Sequence, residues 1–221
     1  MHEDAIGIVL AGGSSRRMRL AGPEAGTGKA GLSFRGRSLL HCVCEAVRPE
    51  VQEVTVVAAA SQPLPVPAGQ YLVVRDSLPG SGPLAGIRDA LQAAADRARA
   101  AGRSPPQMAF VASCDVPLLR AEVVRMLLGS AAQAGCLWAV PLVHGHRQVL
   151  VSAMRMAILP RIEDHLAAGH RDPRGLLDRL RAADPAAIRI MTEAELGAVD
   201  PDLESFRDID TPEDMDFLQR R

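Results

Sequence analysis

Short apolar runs rich in β-branched residues alternate along this chain with longer helical patterns, and nothing else in the sequence narrows the fold as far. Strands are predicted at 5–10, 53–58, 71–75, 108–112, 137–143 and 147–153, and helices at 38–48, 84–101, 120–134, 154–168, 174–182 and 211–219. A parallel neighbour is reached only by a crossover long enough to hold a helix, so such alternation builds a mostly parallel sheet with helices on both faces. Trp138 to Met154 breaks the rhythm. Two apolar runs flank His144-Gly145-His146 there, which reads as a β-hairpin added to the sheet. The expected fold is therefore α/β, a Rossmann-like three-layer sandwich whose mostly parallel sheet carries an added β-hairpin.

The chain has 221 residues, with no internal repeat and no linker, and reads as one domain over 1–221. At that length roughly 70% of the unfolded surface is buried on folding, so the core needs no staples. Residues 183–205, rich in Ala, Asp and Glu, are expected to run over the surface. Net charge is −1, with 25 basic residues against 26 acidic ones, which argues against nucleic acid as a partner. Any anion site must be local. Cys42, Cys44, Cys114 and Cys136 form neither CxxC pairs nor a disulfide ladder, so reduced thiols and a cytoplasmic location are expected. The acidic start Met-His-Glu-Asp fits no signal peptide, and no apolar run approaches the length of a membrane span.

Lys29 is the only lysine in a chain that otherwise writes arginine for every basic residue. A lysine kept in that background is a candidate for work that needs a compact ammonium on a flexible stem rather than a planar fork. It closes a segment, 11–31, with six glycines, directly after the apolar run Ile6 to Leu10. Within it, Gly12-Gly13 can turn backbone N–H groups toward an anion, and Arg16 and Arg17 can pair with phosphate oxygens. Two better-known phosphate signatures are excluded. A P-loop needs Gly at 23 and Ser or Thr at 30, where the chain has Pro23 and Ala30, and Gly12-Gly13-Ser14-Ser15 does not supply the spacing of a dinucleotide fingerprint.

Three further motifs follow. Asp115, in Cys114-Asp115-Val116-Pro117, stands just past a predicted strand, at the edge where open α/β sheets bind ligands, and can hold Mg²⁺ against nucleotide phosphates; its plainer reading is a cap for the helix near 120. Gly82-Pro83-Leu84-Ala85-Gly86 opens a helix without bulky side chains, which suits a base edge or a ribose. Thr211-Pro212-Glu213-Asp214 is a helix start, but it does not explain Asp208 and Asp210, which alternate toward one face of an extended segment. Either could give a metal its second carboxylate, and Asp210 is taken with Asp115 as the metal pair. His144 and His146 lack acidic or Cys neighbours and read as turn residues rather than a zinc site.

Leu10-Ala-Gly-Gly…Arg17-Met18…Lys29, then Asp76…Gly82-Pro-Leu-Ala-Gly86, then Cys114-Asp115-Val-Pro117, then Asp208-Ile-Asp210-Thr-Pro-Glu-Asp214 stand in the order of one family. Over 5–219 the chain resembles the MobA family, the molybdenum cofactor guanylyltransferases of the nucleotidyltransferase superfamily. Gly12-Gly13 and Gly82 to Gly86 resemble its guanine-using members. The resemblance implies transfer of GMP from GTP to the phosphate of molybdopterin, with release of pyrophosphate. It implies nucleotide contacts at Leu10, Ala11, Gly12, Lys29 and Asp76, and Mg²⁺ on Asp115. With the residue patterns above, Gly13 and Gly82 to Gly86 are expected to join the nucleotide contacts, Lys29, Arg17 and Asp115 to be catalytic, and Asp210 to be the second metal ligand. The N-terminal half would hold the nucleotide and the C-terminal half the acceptor, with transient contact to molybdenum cofactor enzymes or their chaperones.

An anionic phosphate nucleophile needs no dedicated base, only charge neutralisation and in-line positioning. At about 4 Å and an effective dielectric near 20, one such charge contact is worth about 4 kcal/mol before desolvation. The chain departs from the family in two places: Arg19 follows Met18 where Gly is usual, with Lys29 displaced by the insertion Leu20 to Gly28, and Asp208 and Asp210 stand where the family often has Asn. A cytidylyltransferase, a transferase acting on another small phosphate, and a non-catalytic nucleotide-binding homologue are the competing readings.

Overall fold

The computed structural model describes residues 4–12, 24–67, 69–76 and 82–219. Gly13, Arg16, Arg17, Met18 and Arg19 of the glycine-rich segment, and Ser77 to Ser81 of the second loop, lie outside them. The chain enters through β1 (Ala5–Leu10), then a single turn α1 (Glu24–Thr27), a 3-10 turn over Gly28–Gly31, and a small hairpin of β2 (Ser33–Phe34) and β3 (Arg37–Ser38). Next come α2 (Leu39–Val47), β4 (Glu53–Ala58), β5 (Leu72–Arg75), α3 (Pro83–Ala100) and β6 (Met108–Ser113). The second half holds α4 (Ala121–Ala131), β7 (Trp138–Val143), β8 (His146–Arg147), β9 (Val151–Arg155), α5 (Leu159–Ala167) and α6 (Pro173–Ala183). It ends with β10 (Ile188–Met191), α7 (Glu193–Leu196) and α8 (Pro212–Gln219).

Among the described residues the main sheet runs β10-β7-β9-β6-β1-β4-β5, with β8 paired to β7. β1 is central and parallel to both β4 and β6, and every residue of it is buried, which is why it reads as an unbroken apolar run. After β5 the chain returns through α3 to β6 on the other side of β1. That reversal opens a crevice at the carboxyl ends of β1 and β6, where doubly wound sheets bind ligands. One apolar layer packs α2 and α4 on the sheet through residues such as Val43, Val47, Val123 and Leu127. The opposite layer packs α3, α5 and α6 through Leu84, Leu91, Ile162 and Leu177. At Gly86 a Cβ would stand 2.9 Å from Val57 Cγ1, so α3 lies on β4 at a distance only glycine permits.

The expected hairpin is present, and two other expectations need correction. The hairpin forms, with Val143 opposite His146, but its second arm breaks at 148–150. β9 then re-enters antiparallel between β6 and β7, so the strand that follows the hairpin is interior to the sheet. The helix expected over 154–168 starts at Leu159: β9 runs to Arg155, and Pro160, which lacks an N–H, is admitted only in a first turn. Residues 183–205 do more than cover the surface. β10 pairs with β7, α7 starts from a Thr192–Glu195 capping box, and the fully buried Asp200 accepts the amides of Glu204 and Ser205 at 3.2 and 2.8 Å. Four residues of alternation were too short a signal against so many acidic neighbours.

The junction of β7 and β9 carries a buried polar chain. Trp138 Nε1 donates to Ser152 Oγ at 2.9 Å, and that hydroxyl donates to the Val149 carbonyl at 2.9 Å, with both side chains fully buried. Ser152→Ala leaves the indole N–H without a partner, and the expected loss is about 1–3 kcal/mol. A urea melt should show a lower midpoint at unchanged m-value.

Candidate functional site

β1 and β6 deliver the first two parts of the site to one edge. The Cys114 amide donates to the Leu10 carbonyl at 3.0 Å, which fixes the strand exits side by side, with Asp115 just beyond. The helix-cap reading of Asp115 fails: α4 begins after Arg120, with no side chain capping it. Asp115 instead anchors the C-terminal motif through its carbonyl, which accepts the Ile209 amide at 2.8 Å. Ile209 is fully buried with Leu32, Phe34, Leu39, Met215 and Leu218 in a small separate apolar cluster. Asp208 and Asp210 therefore flank a residue tied to the Asp115 backbone. Beyond them, Asp214 accepts the Asp210 and Thr211 amides at 3.0 and 2.7 Å and starts α8. Burial works against the Asp214 charge, but these bonds, the Thr211 hydroxyl and the Lys29 charge hold its carboxyl below the usual range.

The same apolar cluster brings the lysine turn into place. Ala30 is fully buried in the main core and Leu32 in the small cluster, so the turn between them is pinned on both sides. A Cβ on Gly31 would stand 2.0 Å from Thr27 Oγ1, so only glycine closes this turn. Lys29 Nζ lies 3.8 Å from Asp115 Oδ2 and in direct contact with Asp210 Oδ1. With the Lys29 and Asp115 side chains only 16% and 20% exposed, water screens these charges weakly.

Asp115 and Asp210 stand against this ammonium, and Asp208 senses the charges of all three. The Asp208 side chain opens to solvent on one side, yet its carboxyl is pushed up by the protein mass around it, then by the charges of Asp210 and Asp115. Carboxylates in excess of the one ammonium beside them suit a hard divalent cation. Among the described residues no three His, Cys, Asp or Glu side chains form a full protein cage. Mg²⁺ bound against a triphosphate asks only one or two carboxylates of the protein, and Asp115 with Asp210 meets that requirement.

The remaining candidates fall into two groups. Gly12 is exposed at the β1 exit, and Asp76 stands at the carboxyl end of β5 with its amide on the Ala58 carbonyl at 2.9 Å, so both lie along the same sheet edge. Gly82 is exposed, and Pro83 helps line a cavity of about 340 Å³ bounded also by Asp115, Asp208, Arg147, Arg174 and Phe206. By contrast, Leu10, Ala11, Leu84, Ala85 and Gly86 are buried. The Ala11 N–H goes to the Val57 carbonyl at 2.8 Å and its C=O accepts from Gln62, so Ala11 shapes the entrance from below. Leu84 to Gly86 bind the start of α3 to the sheet. Arg147 in the short β8, Arg174 in the first turn of α6 and Gln62 in a connector stand out by no motif in the sequence, because a single polar residue carries no periodic signal. Another cavity, of about 220 Å³ among Asp4, Glu53 and Arg97, lies at the amino ends of the strands and away from these carboxylates.

The profile of the family described as "MobA-like NTP transferase domain" matches residues 7–185. The chain is 29% identical over 214 residues to the molybdenum cofactor guanylyltransferase of Desulfosudis oleivorans, covering 96% of this chain and 94% of that one. It is 34% identical over 204 residues to a probable molybdenum cofactor guanylyltransferase of Mycobacterium avium, covering 87% and 93%. Molybdopterin-guanine dinucleotide biosynthesis protein A from Archaeoglobus fulgidus shares the fold with a TM-score of 0.73 at 22% identity, over 97% of each chain. A cytidylyltransferase for 2-C-methyl-D-erythritol 4-phosphate from Thermus thermophilus does so with a TM-score of 0.64 at 17% identity, over 96% of each.

Proposed function

The chain belongs to the MobA-like NTP transferase family of nucleotidyltransferases, and we propose from that premise that it transfers GMP from GTP to the phosphate of molybdopterin. The observation that carries this reading is the meeting of Lys29, Asp115 and Asp210 at the crevice between the β1 and β6 exits, beside the 340 Å³ cavity. The nucleotide lies along the sheet edge from Gly12 to Asp76, in the N-terminal half. The acceptor enters the cavity in the C-terminal half, where Arg174 and Arg147, the latter paired through both Nη atoms with Asp178, bring positive charge toward its phosphate.

In the reaction an acceptor phosphate oxygen forms a bond to the α-phosphorus of GTP, and the bond to the bridging oxygen breaks, releasing pyrophosphate with its electron pair. Lys29 meets charge developing on the phosphates with a compact ammonium already aimed at the crevice. Asp115 and Asp210 would hold Mg²⁺, which neutralises triphosphate charge when bound. Asp208 adds negative potential at the same place. The small apolar cluster around Ile209 keeps these groups in register before substrate arrives, so little reorganisation is left for the chemical step. The cytoplasm, with its reduced thiols, is the compartment assigned to this reaction.

The test is pyrophosphate release with molybdopterin and each of GTP, CTP and ATP, with and without Mg²⁺. Turnover is expected with GTP and Mg²⁺. Turnover with CTP alone would sink the guanine assignment, and none with any nucleotide would favour a binding role.

A further inference from the structure

Gln62 sits in the connector between β4 and β5, in a stretch whose three prolines give it the look of plain linkage. Its side-chain amide makes three hydrogen bonds, one within its own turn and two to distant segments. Nε2 donates to the Ala11 carbonyl at 3.0 Å and to the Thr27 carbonyl at 2.9 Å, while Oε1 accepts the Ala59 amide at 3.2 Å. Two carbonyls on one side and an N–H on the other leave only one orientation for the amide. Ala11 is the residue leaving β1, and Thr27 is the residue before the turn that carries Lys29. One side chain therefore spans the two flanks of the glycine-rich segment.

The connector is itself held. Arg75 Nη1 donates to the Ala59 and Gln62 carbonyls at 3.0 and 2.7 Å, which fastens the turn to the end of β5. Gly26 lies against Pro63, whose ring a Cβ there would meet at 3.7 Å, so the connector and the segment before Lys29 are in contact beyond the amide itself.

We infer that Gln62 is a positioning residue for the nucleotide site: by bonding the Ala11 and Thr27 carbonyls together it sets the distance between the β1 exit and the Lys29 turn. The inference rests on the proposal that this turn serves a nucleoside triphosphate. It also accounts for the long segment before Lys29. A lysine displaced along the chain still reaches Asp115 and Asp210, because the point where the chain returns is fixed by a donor that does not depend on how many residues lie between.

Gln62→Met keeps the length and removes both donors and the acceptor. Its KM for GTP is expected to rise about ten- to hundred-fold, the equivalent of two ordinary hydrogen bonds, with the KM for the acceptor unchanged. Amide exchange over residues 27–32 should quicken in the same variant. Gln62→Glu keeps the acceptor but sets a carboxylate against two carbonyls. Its GTP affinity should recover partly as pH falls and the acid regains one donor, a profile the wild-type chain should lack.

Wild-type KM and exchange in Gln62→Met would overturn the assignment, as would an equal loss toward GTP and acceptor together with a lowered Tm. If the wild-type chain turned over no nucleotide, the catalytic reading would fall by itself. Faster exchange at 27–32 would then still support the tie between the two flanks, and unchanged exchange would overturn it.

Discussion

Lys29→Arg is expected to lower kcat/KM for nucleotide transfer about a hundredfold, or ~2.7 kcal/mol of transition-state stabilisation. Charge is conserved in this variant, so the loss isolates shape. The ammonium now touches Asp210 and lies 3.8 Å from Asp115, in a position only a narrow group can share with a triphosphate. A guanidinium matches a carboxylate through two parallel N–H donors, so it would stay on Asp115 or Asp210 and cover the place assigned to the metal. Stability should hardly move, with Tm within about 2 °C of the wild type, because the pair with the carboxylates survives. Steady-state kinetics alongside a thermal melt checks both halves. A fully active Arg variant would show that the site does not use its lysine as a lysine.

Asp115→Asn is expected to cost more, about a thousandfold in kcat, or ~4 kcal/mol. The amide keeps the shape and leaves the Ile209 bond intact, since that bond uses the Asp115 main chain. What is removed is the anionic ligand and its share of the field on Asp208. A physical signature should accompany the kinetic one. Asp208 is raised in the native state by burial first and by Asp210 and Asp115 next. The folded chain thus holds that proton to higher pH than the unfolded chain. The resulting stability is present below the ordinary carboxylate range and lost as pH rises through the raised value. With Asp115 neutral the raising is smaller, so this loss should shrink and its upper limit should move to lower pH. Melting temperatures of both proteins across the acidic range read the difference. A thousandfold kinetic loss without that change would mean that Asp115 and Asp208 do not sense each other.

How far the site could be read in advance depended on the range of the forces involved. A buried strand such as Ala5–Leu10 advertises itself because both faces are covered and every residue must be apolar. Asp115 was legible for the same reason, as a carboxylate at the end of such a run, and so was the helix start at Thr211 to Asp214, whose hydrogen bonds close within four residues. The re-entry of β9 between β6 and β7 was not legible. A strand's own pattern states that it has two neighbours, not which ones. β10 escaped because four residues hold too few alternations to be told from a loop.

Local chemistry in the chain therefore settled the alternation of strands and helices, the placing of Gly12, Asp76 and Asp115 at strand exits, and the oddity of a single lysine. Its partner did not follow from the same reading: Lys29 and Asp210 stand 181 positions apart. They meet because the sheet order sets β1 beside β6, because Ile209 bonds the Asp115 carbonyl, and because Leu32 and Ile209 share one apolar cluster. Helix propensity, turn chemistry and strand pattern act over a few residues, so they are written in the chain where they apply. Which distant segments share a crevice is decided by burying apolar surface in three dimensions, and that becomes visible only once the chain has folded.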